Sequence, residues 1–140
     1  FDSRNKLLSF YYTFFEILTI NRSYVVYMLQ NKKDHLQKHR SLAKLKNRFT
    51  LFIKHLDISL FEVKQEQLEK IQMRSIQESA WLQLLITMRF WIEDTSSSFE
   101  KTDIFIEKAV NTSFDLIDIK PLTSIIDLGK FLFKEKIHMN

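Results

Sequence analysis

The chain has 140 residues, with no cysteine, one glycine and one proline. Without cysteine there is no disulfide framework and no thiolate metal site. A single glycine argues against all-β folds and nucleotide-binding α/β folds, which need many glycine-rich turns. It also leaves no glycine loop to cradle a phosphate. Long apolar runs are missing too. None approaches the roughly 18–20 residues that span a bilayer. Arg4 and Lys6 precede the apolar stretch Leu7–Phe15, but Glu16 interrupts it and no small-residue cleavage site follows, so it does not read as a secretion signal. Catalytic groupings are equally scarce. His35 and His39 are four apart on an expected helix, a spacing that can hold a metal. However, Leu36 stands where a metalloprotease motif needs Glu, and Lys38 repels a cation. No Ser, His and Asp fall at meaningful spacing. The expectation is an all-α, non-enzymatic, soluble cytoplasmic protein without metal or cofactor.

The hydrophobic fraction of 45% and charged fraction of 27% fit one globular domain over residues 1–140. A chain of this size buries roughly 70% of its unfolded surface. Its organising stretch is Glu78–Asp94. Ten uncharged residues lie between Glu78 and Arg89, the longest such run in the sequence. Wound as a helix, it is apolar almost all round. Leu82, Ile86 and Phe90 hold one side; Trp81, Leu84, Met88 and Trp91 hold another. Such a helix must be covered on every side. One face is expected on its own core and the other on a partner.

Apolar periodicity places six helices. The first runs from about Ser3 to Ile20, with Ser3 as its cap. A break at Asn21-Arg22-Ser23 leads into a short helix over Tyr24–Gln30. The third spans about Asp34 to Leu56, on the stripe Leu42, Leu45, Phe49, Phe52/Ile53 and Leu56. Asp57–Lys64 is a connector with some strand character. The fourth spans about Gln65 to Asp94. After the serine loop 95–98, in which Ser98 can cap, the fifth runs from about Phe99 to Ile119. Pro121 ends it, because the residue before proline is pushed out of the helical region. The last covers about Leu122 to Lys136.

Small residues recur at helical spacing on two long helices: Ser75 and Ser79 on the fourth; Thr102, Ala109 and Ser113 on the fifth. Such residues let helices approach closely. Together with Leu82, Ile86, Ile106, Val110 and Ile117 they are expected to form a homodimer contact, a four-helix bundle across a twofold axis. A second expectation is a hydrophobic cavity of roughly 300–1,000 Å³ among the first, third and fourth helices. Tyr11, Phe14, Phe15, Phe49, Phe52, Trp81, Leu84 and Met88 would line it, as large rings pack poorly. Gln83 and Thr87, four apart on one face, would orient a small hydrophobic effector. Leu84→Trp is expected to fill the space. Arg89 is placed to pair with Glu93 at the same spacing.

Charge is unevenly distributed. Arg22–Lys54 holds nine Lys/Arg and a single acid, Asp34, against a net +4 for the whole chain. A basic stretch suits nucleic acid, but aromatic residues are not interleaved on the charged side as single-strand binders need. Two alternatives to an effector-binding domain therefore stand: a basic nucleic-acid-binding domain, and a helical protein-interaction module without a small-molecule site.

The order of elements is itself a signature. An aromatic-rich first helix precedes a short one, then a basic helix with His39-Arg40-Ser41-Leu42. The next helix ends Met88-Arg89-Phe90-Trp91-Ile92-Glu93, and a long helix then stops at a proline. This resembles the C-terminal effector-binding and dimerisation domain of tetracycline-repressor (TetR) family transcription regulators, over essentially Leu7 to Lys136. The resemblance implies a regulatory domain of a dimeric repressor that senses a lipophilic or aromatic ligand. It also implies that DNA is bound only by a helix-turn-helix of about 50 residues ahead of Phe1, since the tight turn of that motif is not in this sequence.

Overall fold

The computed structural model describes residues 2–31, 33, 35–58, 64–117 and 120–139, with side chains for all of these but 120–123, 137 and 139. Among these residues six helices make the all-α fold: α1 (Ser3–Ile20), α2 (Arg22–Gln30), α3 (His35–His55), α4 (Glu66–Glu93), α5 (Glu100–Ile117) and α6 (Lys120–Met139). Among the described residues there is no strand. Most of the connector expected to have strand character, residues 59–63, lies outside them, as do the expected helix ends at residues 34 and 118–119.

Four helices build the core. Ser3 at the start of α1 donates to the Leu56 carbonyl just past α3, at 2.8 Å. Arg4 meets Asn111 and Asp115 near the end of α5. At the far end of α1, Thr19 accepts from the Trp91 indole of α4 at 3.0 Å. So α1 and α4 run parallel, and α3 and α5 run against both. Between them lie Leu7, Tyr11 and Phe15 of α1, Phe49 and Ile53 of α3, Leu84, Met88 and Trp91 of α4, and Ile106 and Val110 of α5, each at most 5% exposed. Burying such side chains is worth roughly 1.5–3 kcal/mol each, far more than helix propensity supplies, so the apolar stripes dictate the arrangement.

Helix ends depart from the simplest reading of the caps. Asp2, not Ser3, caps α1, its carboxylate accepting from Asn5 N–H at 2.8 Å. The break before α2 is shorter than expected: Asn21 alone interrupts, and no side chain caps α2, Ser23 included. Ser98 does not cap α5 either. It sits at φ 52° in a 3-10 turn, Ser97–Phe99, and Asp94 and Ser96 take over. Pro121 falls in the first turn of α6, where its missing N–H costs nothing. With one glycine in the chain, left-handed positions fall to other residues. Asp57, just past α3, has φ 58°, a conformation that Asp tolerates better than most.

Helix α6 is held differently. Ile125, Leu128, Phe131 and Leu132 recur at helical spacing and are 57–66% exposed. On α4, Leu82 and Ile86 are 57% and 49% exposed, while Leu84 and Trp91 are fully buried. Among the described residues no helix is long and apolar enough to cross a membrane.

Candidate ligand-binding site

The aromatic residues expected to leave a gap fill one another's space instead. Phe10, at the centre, lies 5.1 Å from both Phe49 and Phe52 and 5.4 Å from Phe14, ring centre to ring centre. Tyr11 and Phe15 stack at 6.1 Å, and Phe49 meets Trp81 at 6.4 Å. These tilted, stacked and edge-on contacts are what aromatic quadrupoles favour. Tyr11, Phe15, Phe49, Leu84, Thr87 and Met88 are all at most 5% exposed. Burial also pushes the Tyr11 phenol well above its ordinary value, against a smaller opposing effect of hydrogen bonding to Thr87. Phe14 and Phe52 reach a shallow open groove on the outer side of α1 and α3, beside Lys6, Thr13 and Ile17.

Half-enclosed cavities among the described residues include one of about 310 Å³ beside Phe15, Thr19 and Trp91, with Glu16 and Asp103 on its wall, and a mainly apolar one beside the aromatic cluster, at the end of the bundle where α1 begins. The volume of the apolar one is about 270 Å³. The apolar walls are Leu7, Ile53, Ile58, Ile76, Ala80, Phe114, Leu116 and Ile117; the polar ones are Ser75, Ser79, Gln83 and Ser113. Of the ten residues expected to line a pocket, Gln83 alone lines this one. Helix α5 contributes a wall, which the sequence reading had not assigned to it.

Gln83 organises the polar side. Its amide nitrogen donates to the Ala109 carbonyl at 3.1 Å and to the Ser113 hydroxyl at 2.7 Å. Ser113 in turn donates to the Ala109 carbonyl at 2.9 Å. A carbonyl only accepts, so the amide NH2 must face α5 and the amide oxygen must face away from it. That oxygen receives the Tyr11 hydroxyl at 3.5 Å, the outer limit of a hydrogen bond. Thr87 is turned from the cavity and donates to the Gln83 backbone carbonyl at 2.7 Å.

The residues expected at a dimer contact divide in four. Ser75, Ser79, Ser113 and Ile117 line the cavity. Thr102, Ile106 and Val110 are at most 1% exposed, so they face the chain's own interior and are not free for a partner. Ala109 gives its carbonyl to Gln83. Leu82 and Ile86 remain outside. The reason is that α5 closes the core: its apolar stripe is used against the helices of its own chain. Where small side chains face small side chains, the helices leave volume unfilled.

Two arginines brace the ends. Arg4 lies 5.5 Å above the ring of Phe114, a cavity wall, while bound to Asn111 and to Asp115 at 2.9 Å. Arg22 lies 4.6 Å from both the Trp91 and Phe99 rings, and donates to the carbonyls of Trp91 and Ile92 at 3.1 and 2.9 Å. It thus satisfies the open C-terminal end of α4. The Phe90-Trp91 pair, whose pattern carried the resemblance, is split between duties. Trp91 is core, and Phe90 stacks on Phe105 at 4.7 Å. Arg89 does meet Glu93, at 3.6 Å and in solvent.

Over residues 6–132 the chain matches the family model described as tetracyclin repressor-like, C-terminal domain. The chain belongs to this family. Neither a curated protein nor a solved structure gives a significant match. For a TetR-like C-terminal domain of this sequence, then, the site rests on its own geometry: a small, half-open, mainly apolar cavity with one amide and three hydroxyls on its rim and wall.

Proposed function

We propose that this TetR-family regulatory domain senses a small apolar effector in the cavity among α1, α3, α4 and α5, and that it works as a homodimer. The cavity carries the reading. Binding sites are typically apolar concavities with a few convergent polar groups, and Gln83 and Ser113 supply such groups between helices. Leu7 of α1 is part of the wall, so an occupant bears directly on the helix that would follow a DNA-binding segment. Occupancy would shift the protein between two arrangements of α1, provided the effector binds them with different affinity. The partner copy would cover Leu82 and Ile86 of α4 and the Ile125, Leu128 and Leu132 stripe of α6, each 49–66% exposed, since large exposed apolar patches mark interaction surfaces.

Two measurements test this. Ser79→Phe projects a ring into the cavity; it should abolish binding of neutral alkylbenzenes seen by calorimetry, with no loss of fold by circular dichroism. Binding that survives the substitution places the ligand elsewhere. Leu128→Glu with Leu132→Glu should convert a dimer into a monomer by light scattering; a monomeric unmutated chain at micromolar concentration refutes the dimer.

A further inference from the structure

The walls of the cavity define the chemistry of its ligand more narrowly than "apolar". Among the described residues, none that lines the cavity is charged. The guanidinium of Arg4, over the cavity wall Phe114, is already engaged by Asp115 and Asn111. A charged ligand group would be taken from water without a counter-charge, which is strongly unfavourable. The ligand is therefore neutral.

Its polar group follows from what the wall has left to give. Both amide hydrogens of Gln83 are committed, to Ala109 and Ser113. The Ser113 hydrogen is committed to Ala109. Inward donors are thus spent. Acceptors are not: the Gln83 amide oxygen has two acceptor sites and receives a single, long contact from Tyr11. Ser75 and Ser79 are exposed at the rim, and their hydroxyls compete with water. A ketone, ether or ester would find no buried donor, whereas an O–H or N–H would find the Gln83 oxygen.

Size completes the description. An apolar cavity of about 150 Å³ holds a benzene ring. In proportion, about 270 Å³ holds roughly eleven non-hydrogen atoms.

Building on the reading of this cavity as the effector site, we propose that its ligand is an uncharged, mainly apolar molecule of about that size which donates one O–H or N–H hydrogen bond to the Gln83 amide oxygen. Alkylphenols and medium-chain alcohols belong to this class; carboxylates and ammonium ions do not.

Isothermal titration calorimetry on the 140-residue chain tests it with four probes of matched shape: 4-butylphenol, butylbenzene, 4-butylanisole and 4-butylbenzoate. The phenol should bind tightest. The hydrocarbon and the methyl ether should bind roughly tenfold more weakly, the equivalent of one net hydrogen bond, and the benzoate not measurably. Gln83→Met, which keeps the bulk of the side chain but not its oxygen, should bring phenol and hydrocarbon to equal affinity. If that variant does not fold, the four probes on the unmutated chain still decide. Equal affinity for phenol and hydrocarbon, or preference for the benzoate, overturns the ligand class; if Ser79→Phe still blocks that binding, the cavity reading stands. No binding of any probe, or binding that Ser79→Phe leaves intact, overturns both.

Discussion

Asp94 should hold the corner between α4 and α5 through its charge. Its carboxylate is 6% exposed and accepts four hydrogen bonds. One oxygen takes the Ser96 N–H at 2.8 Å and the Ser96 hydroxyl at 2.6 Å; the other takes the Thr102 N–H at 3.0 Å and the Thr102 hydroxyl at 2.7 Å. Burial alone would push this carboxyl up, but the donors from Ser96 and Thr102 outweigh it and hold the group at about 2, against an ordinary 3.8. The native state therefore favours the ionised form. The difference contributes about 2 kcal/mol to stability at neutral pH. Because the folded value is depressed, that contribution is complete well above pH 3.8 and is lost as pH falls from about 4 to about 2. Asp94→Asn removes the charge and turns an NH2 toward one pair of donors, so it should cost about 2 kcal/mol at pH 7. In a chain of this length that lowers the melting temperature by roughly 4–8 °C. Urea titrations of both proteins at pH 7, 4 and 3 should show the gap between them narrowing with acid. A gap that is constant across this range would mean that the corner is held by shape alone, and would refute the electrostatic account.

Leu84 is fully buried in the packed cluster, so Leu84→Trp should not fill a void, as the sequence suggested, but overpack the core and cost about 1–3 kcal/mol in a thermal melt. Ser79→Phe, at the cavity, should leave the melting temperature unchanged or raise it. Arg22→Lys should cost about 1–2 kcal/mol in urea, because an ammonium cannot serve two carbonyls and two ring faces together. Asp57→Gly should gain roughly 0.5–1 kcal/mol in the same assay by relieving a left-handed backbone.

The fold was legible because its helices carry unbroken apolar stripes. Phe49 and Ile53 of α3, and Leu56 just past it, sit in the core as their spacing requires. Most helix ends fall within two residues of the expected ones, because the interruptions at Asn21 and after Asp94 are strong local signals. The identities of the caps were not legible. Asp2, Ser3, Asp94, Ser96 and Ser98 are all able caps, and position relative to the first turn decides among them. At α5 the decision is made by Thr102, whose side chain and N–H draw Asp94 across eight residues; no local pattern announces that.

The site was half legible, and the reason is physical. Serines at helical spacing mean either close helix approach or unfilled volume, and the sequence of one helix does not distinguish them. The distinction depends on what faces them. On α5, Ile106 and Val110 turn to the chain's own core, which leaves Ser113, Phe114 and Ile117 opposite Ser75 and Ser79. Small therefore faces small across a distance set by larger neighbours, and a cavity results. A sharper signal was present within α4. Ser75, Ser79, Gln83 and Thr87 form an unbroken line at steps of four on the helix that carries the longest uncharged run in the chain. Polar groups on such a helix need partners. Thr87 finds its own in the Gln83 carbonyl, and Gln83 finds Ala109 and Ser113 on α5. Following that line toward the start of α4 leads out of the packed core, past the Gln83 amide, and into the cavity.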